Sequence, residues 1–224
     1  MMKIIIANRT YSSWSLRGWL AAKQSGLPFE TTLIPMDTPE WKSGAAKVDM
    51  PSGKVPVLWD HGVPVWDSLA MILYLADKAG HDRFWPREMD ARGLAYAMVA
   101  EMHSGFAPLR SACPMNLKEH FPGFVAPAEV QADVARITAL WGEARSRFGT
   151  ETGEPWLFGR FGAADIFWAP VCTRIASYHL PVDDVAAAYV AAVLDHPWMR
   201  EWREAALAES FPFDRYPIPG GVPV

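Results

Sequence analysis

Residues 53–77 read GKVPVLWDHGVPVWDSLAMILYLAD, and the apolar pattern changes period within this one stretch. Val55-Pro56-Val57-Leu58-Trp59 is a short apolar run, which predicts a strand. Asp60-His61-Gly62 carries turn chemistry, and Val63-Pro64-Val65-Trp66 returns as a second strand, so the first half reads as a hairpin. From Asp67-Ser68 onward the spacing lengthens. Leu69, Ile72, Leu73 and Ala76 recur at helical intervals, which predicts an amphipathic helix packed on the hairpin's sheet.

Upstream, Lys3–Ala7 predicts a buried strand of a parallel or mixed sheet. Ser13 to Gln24 predicts a helix with Leu16, Trp19, Leu20 and Lys23 on one face, stopped by Gly26 and followed by Pro28. Phe29–Ile34 (FETTLI) is a further strand, and Thr38 to Ala46 holds at most a short irregular helix. The first part of the chain therefore reads β-α-β-α-β-β-α, an α/β unit. Downstream of Gly80–Met89, a segment with Gly, Pro and mixed charges, every strong signal is helical. One helix is expected from Ala91 to Ala112, ended by Pro114. A second buries Val130, Val134, Ile137, Trp141, Ala144 and Phe148. A third opens at Gly162-Ala163-Ala164-Asp165, a fourth spans Asp184–Leu194 and a fifth His196–Leu207. The Pro-rich tail FPFDRYPIPGGVPV (211–224) is expected to run over the surface without regular structure. The domains expected are 1–80, α/β, and 89–224, all-α.

A chain of 224 residues, half of them apolar and 21% charged, has ample material for a globular core. A formal charge of −4 argues against a dedicated nucleic-acid partner. No stretch approaches the roughly 20 apolar residues that cross a bilayer, and no secretory leader is evident. A cytoplasmic protein without a membrane partner is expected. Cys113 and Cys172 have neither CxxC nor metal-like spacing, so each reads as a buried, inert thiol and no metal is implied.

Four pieces of this chain, in this order, resemble the cytosolic glutathione transferase family. They are the strand followed by "YSSWSLR" (11–17), the 53–77 segment, "FGAADIFWAPV" (161–171), and the succession of an α/β and a helical domain. "YSSWSLR" is similar to the SSCSxR segment of the serine-type zeta class, and the overall pattern is zeta/theta-like. The resemblance implies a thioredoxin-like first domain that binds glutathione, a helical-bundle second domain that binds a small electrophile, and a homodimer. Trp14 stands where the zeta class has cysteine, and Gly162 where the family usually has Ser or Thr.

The resemblance also implies roles. Ser12 would hold the glutathione thiolate, with Ser13 and Ser15 as substitutes; as bare sequence, these hydroxyls read equally as helix caps. Val55, before a cis Pro56, would pair its backbone with the cysteinyl unit, where an edge-strand proline is the plainer reading. Ser68 would bind the γ-glutamyl carboxylate at a helix start and Asp67 the neighbouring ammonium, although both are ordinary capping residues. Lys54 would face the glycine carboxylate, or else be solvated. Trp14, Met102, His103, Phe106 and Arg110 are the candidates for the second-substrate pocket, Met102 and Phe106 being equally at home in a core. A glutathione-dependent isomerase acting on maleylacetoacetate and a non-catalytic adaptor of the same fold are the alternatives. A thiol-disulfide oxidoreductase is disfavoured, because 8–24 holds no cysteine.

Overall fold

The strand Met2–Ile6 (β1) has Ile4, Ile5 and Ile6 fully buried and is central to a four-stranded sheet. In the computed structural model, which describes residues 1–211 and 218–224, β1 pairs parallel with Phe29–Leu33 (β2), placing Ile4 beside Thr31. On its other side it runs antiparallel to Val57–Asp60 (β3), with Ile4 beside Leu58. The hairpin partner Val63–Val65 (β4) completes the order β2-β1-β3-β4. Strand alternation puts Ile4 and Ile6 on one face, in contact with the main core, and Ile5 on the other with Val57 and Met50.

Ser13–Ser25 (α1) and Ser68–Ala79 (α3) cover the first face, contributing Leu16, Leu20, Met71, Ile72 and Leu75 to the core. Gly26 ends α1 in the left-handed conformation at φ 69°, as its position after the last buried residue predicts. Pro39–Ser43 (α2), capped by Thr38, is the short helix of the 38–46 segment. The sequence reading and the structure agree here to within a residue or two, except that β3 begins at Val57, leaving Val55 and Pro56 ahead of the ladder.

The helical half departs from expectation at its first helix. Instead of one helix over 91–112, Met89–Ser104 (α4) ends at Gly105 and Ala107–Ala112 (α5) restarts after Phe106, whose φ is 60°. Pro108 lacks the N–H that an uninterrupted helix needs, so the chain turns before it. Ala128–Ala144 (α6) buries Val130, Val134, Ile137, Trp141 and Ala144 as the spacing predicts, while Phe148 falls on the π-helical turn Arg145–Gly149 and is half-buried. Ala163–Ser177 (α7) is buried nearly all round and forms the centre of this half, packed against α4 and Asp184–Asp195 (α8), with Pro197–Leu207 (α9) on α8. The halves share one core: the Trp19 and Trp202 rings lie 5.3 Å apart and Lys23 Nζ is 2.7 Å from Glu201 Oε2.

The tail also differs from expectation at its end. Glu119–His120 (β5) pairs antiparallel with Val222–Pro223 (β6), which gives the last residues a fixed place; 212–217, the middle of that segment, lie outside the described residues. Cys113 and Cys172 are buried and unbonded, and burial pushes the Cys113 thiol up to about 12 and the Cys172 thiol well above its ordinary value. These are the inert thiols expected.

Candidate active site

The loop from Asn8 to Tyr11 delivers the chain from β1 into α1, and the helical half holds it there. Glu209 accepts from Arg9 N–H at 2.9 Å, and Trp202 Nε1 donates to the Arg9 carbonyl at 3.0 Å. The Asn8 side chain accepts from Met36 N–H at 2.7 Å, fixing the same loop to the segment after β2. Ser12 then caps α1, its Oγ accepting from Ser15 N–H at 3.3 Å. Its hydroxyl lies 2.8 Å from Ser15 Oγ, which in turn accepts from Ala7 N–H at 3.0 Å. The helix head is thus a run of hydroxyls anchored on the end of β1, and all three serines are buried. Ser15 faces inward, toward the end of the strand.

Val55 precedes the residue that packs against α1. Its bond to Pro56 is cis, as the resemblance implies, and α1 approaches Pro56 closely at Gly18. A Cβ on Gly18 would lie 2.7 Å from a Pro56 side-chain carbon, so only glycine lets the helix come this near. Because β3 begins at Val57, the Val55 N–H and C=O stand outside the ladder. Lys54 is exposed.

The head of α3, a helix packed against α1, carries the remaining glutathione-site candidates. Asp67 Oδ1 accepts from Leu69 N–H at 3.0 Å, so it is a cap, as its residue type predicts. Its other oxygen is 3.1 Å from His103 Nε2, on α4. Ser68 is fully buried, and its hydroxyl has no hydrogen-bonding partner among the described residues.

Of the second-substrate candidates, the structure keeps three together and removes two. His103 meets the Trp14 ring edge-on at 5.3 Å. The Arg110 guanidinium lies 5.3 Å from the same ring. Arg110 reaches there by folding back from α5, donating to the Gly105 carbonyl at 2.9 Å and to the Met102 carbonyl, so it also ends α4. Met102, in contrast, is wholly inside the core, and Phe106 is nearly so, packed on Trp168. The stripe assumed an uninterrupted helix; the break at Gly105 turns Phe106 inward instead.

One residue was passed over in the sequence. Arg17, on the buried face of α1, is wholly inside the protein. Its Nε donates to the Phe167 carbonyl at 3.1 Å, while both terminal nitrogens lack partners among the described residues. The available signal was a lone charge on a helix face otherwise made of Leu16, Leu20 and Ala21. Among the described residues no group of His, Cys, Asp and Glu side chains is placed to hold a metal, and no helix is long and apolar enough to cross a membrane.

Two family models match this chain: "Glutathione S-transferase, N-terminal domain" over residues 11–78 and "Glutathione S-transferase, C-terminal domain" over 127–205. Together they cover more than half of it. The chain belongs to the glutathione S-transferase family. Glutathione S-transferase theta-1 of Mus musculus is 29% identical over 126 residues, 53% of this chain and 51% of that protein. The theta-1 protein of Rattus norvegicus is 31% identical over 110 residues, 48% of this chain and 45% of that one. This family member thus spans about half the length of the curated relatives it matches. Among solved structures, a glutathione transferase homolog from Burkholderia, with bound glutathione, superposes with a TM-score of 0.69 at 16% identity, covering 93% of this chain and 99% of that one. A theta-class enzyme from Xanthomonas axonopodis, also with glutathione bound, gives 0.58 at 19% identity over 93% and 98%. The thioredoxin-like sheet followed by a helical domain is the fold they share.

Proposed function

We propose that this protein is a serine-type glutathione transferase, with glutathione held by a 1–80 unit and a small electrophile by an 89–224 unit. The observation that carries the reading is the buried Ser68 hydroxyl at the head of α3, without a partner among the described residues. A buried hydroxyl at a helix start that caps nothing is a donor open to a ligand, and the positive helix end favours a carboxylate there. Asp67 beside it offers an oxygen to the adjacent ammonium, in exchange with His103. The Val55 backbone, standing outside the ladder, is free to take an extended peptide unit as an added strand.

That placement brings the cysteinyl sulfur to the head of α1. A thiol of pKa about 8.5 is mostly protonated near neutrality, and hydrogen bonds to sulfur together with the helix dipole lower that value. Ser12 Oγ donates to Ser15 Oγ without substrate; turning that hydroxyl to the sulfur gives its proton to the thiolate, and Ser15, held from behind by Ala7 N–H, then donates to Ser12 in its place. Ser12 acts by charge stabilisation and forms no bond to substrate. The thiol proton leaves to water, the sulfur bonds to the electrophilic carbon, and the leaving group departs with the electron pair.

We read the protein as a cytoplasmic homodimer, a state supported by Trp66, Leu73, Met89 and Tyr96, large side chains exposed along the β4 end, α3 and α4. Calorimetric titration with glutathione tests the central reading. Saturable binding that weakens about tenfold in Ser68→Ala, one lost charge-assisted hydrogen bond, is expected. Absence of binding by the wild type would overturn it.

A further inference from the structure

Where the two halves meet beside the head of α1, positive charge gathers with little to balance it. Arg17 is stacked between the Trp14 ring, 5.0 Å away, and the Phe167 ring, 4.9 Å away. The Arg110 guanidinium lies 5.3 Å from the same Trp14 ring. Burial first, and then the charges of Arg110 and Arg174, push the Arg17 guanidinium well below its ordinary value, and Asp67 pulls the other way. Asp67 is itself shared with His103 and with the cap of α3. A guanidinium in an apolar setting needs a counter-ion and partners for its planar fork. Arg17 spends one donor on a carbonyl and keeps both terminal nitrogens without a partner among the described residues. Trp14, which covers the guanidinium, is itself only half-buried, so this one side chain separates those nitrogens from the surface.

We propose that this is an oxyanion subsite for the second substrate, and that the electrophile carries a carboxylate received by Arg17 and Arg110 beneath the Trp14 ring. The inference rests on the transferase reading for its placement next to the sulfur. A planar carboxylate matches the guanidinium fork and forms the short, charge-assisted bonds that Arg17 lacks. Trp14 is part of the device, since its ring faces both cations and covers the inner one. The serines at the head of the same helix lie one turn away, which sets the bound anion's carbon skeleton beside the thiolate.

The test uses the full chain and the probe pair 4-nitrobenzoate and 4-nitrobenzamide, alike in shape and different in charge, titrated calorimetrically with and without S-methylglutathione. The wild type should bind the carboxylate at least about tenfold more tightly than the amide. Arg17→Met should bring the two within about twofold, Arg17→Lys should keep part of the preference, and the glutathione affinity of both variants should stay within about twofold of wild type. Should Arg17→Met fail to fold, Arg110→Gln provides the second reading, with the preference reduced at least about threefold. Equal affinity for the two probes in the wild type, or a preference kept by folded Arg17→Met, would overturn the proposal. Glutathione binding without that preference leaves the transferase reading standing and removes this one. Preference without glutathione binding keeps the anion site and removes the transferase.

Discussion

Asp165 and Arg17 are both charged residues sealed inside the protein, one at the head of α7 and one on the face of α1 that α7 covers. Asp165 is fully provided for: its oxygens accept from Gly162 N–H at 2.9 Å, Leu157 N–H at 3.2 Å and the Tyr189 hydroxyl at 3.0 Å. Arg17 has a single hydrogen-bonding partner among the described residues, the Phe167 carbonyl. Buried polar groups that are satisfied fix a structure, whereas one left open calls for its own explanation, and for Arg17 the explanation proposed is a ligand. Ser68 falls in the second class with Arg17.

The largest expected effect breaks the first class. Asp165→Ala strips three donors of their acceptor and should cost about 3–5 kcal/mol of stability, read as a shift in the urea midpoint at unchanged slope. A loss below about 1 kcal/mol would place Asp165 outside the structural class. Titration of the same group comes next. Burial lifts the Asp165 carboxyl to about 6, against the hydrogen bonds that lower it. An aspartate in the unfolded chain titrates near 3.9, so between these values the folded protein holds a proton that the unfolded chain has released. This part of the stability is therefore complete below about pH 4 and is lost as pH rises through about 6, by at most about 3 kcal/mol. Unfolding free energies from pH 4 to 7 should show that decline in the wild type and lack it in Asp165→Asn.

The second class should respond in the opposite sense. Ser68→Ala removes no hydrogen bond from the empty protein, so its stability should change by less than about 1 kcal/mol while glutathione affinity falls by about 1–2 kcal/mol. Arg17→Met replaces an unpaired buried cation by an apolar side chain of similar length. Stability should be unchanged or raised by about 1 kcal/mol, with anion preference alone lost. A strongly destabilised Arg17→Met would move Arg17 into the class of Asp165.

The same division explains what could be read in the sequence. The 53–77 hairpin and helix, the buried stripe of α6 and the Gly26 stop are written in neighbouring residues, so local spacing sufficed. The head of α1 was legible as a cluster of hydroxyls, but not the order among them. That order depends on Ala7 and on Glu209 and Trp202, which come from β1 and from the far end of the chain. Gly105 and Pro108 carried the signal for the break between α4 and α5, and the apparent stripe from Met102 to Arg110 concealed it. Arg17 acquires its meaning from Phe167 and Trp14 together, a contact across 150 positions that no local pattern encodes.

The most direct test follows the ultraviolet absorbance of bound glutathione thiolate against pH, in the wild type and in Ser12→Ala. In the wild type the bound thiol should titrate at least about one unit below the free value near 8.5, and Ser12→Ala should return it toward that value with little loss of glutathione affinity. A bound thiol in the wild type that titrates like free glutathione would contradict the claim that the head of α1 holds a thiolate. An unchanged value in Ser12→Ala would take that role away from Ser12.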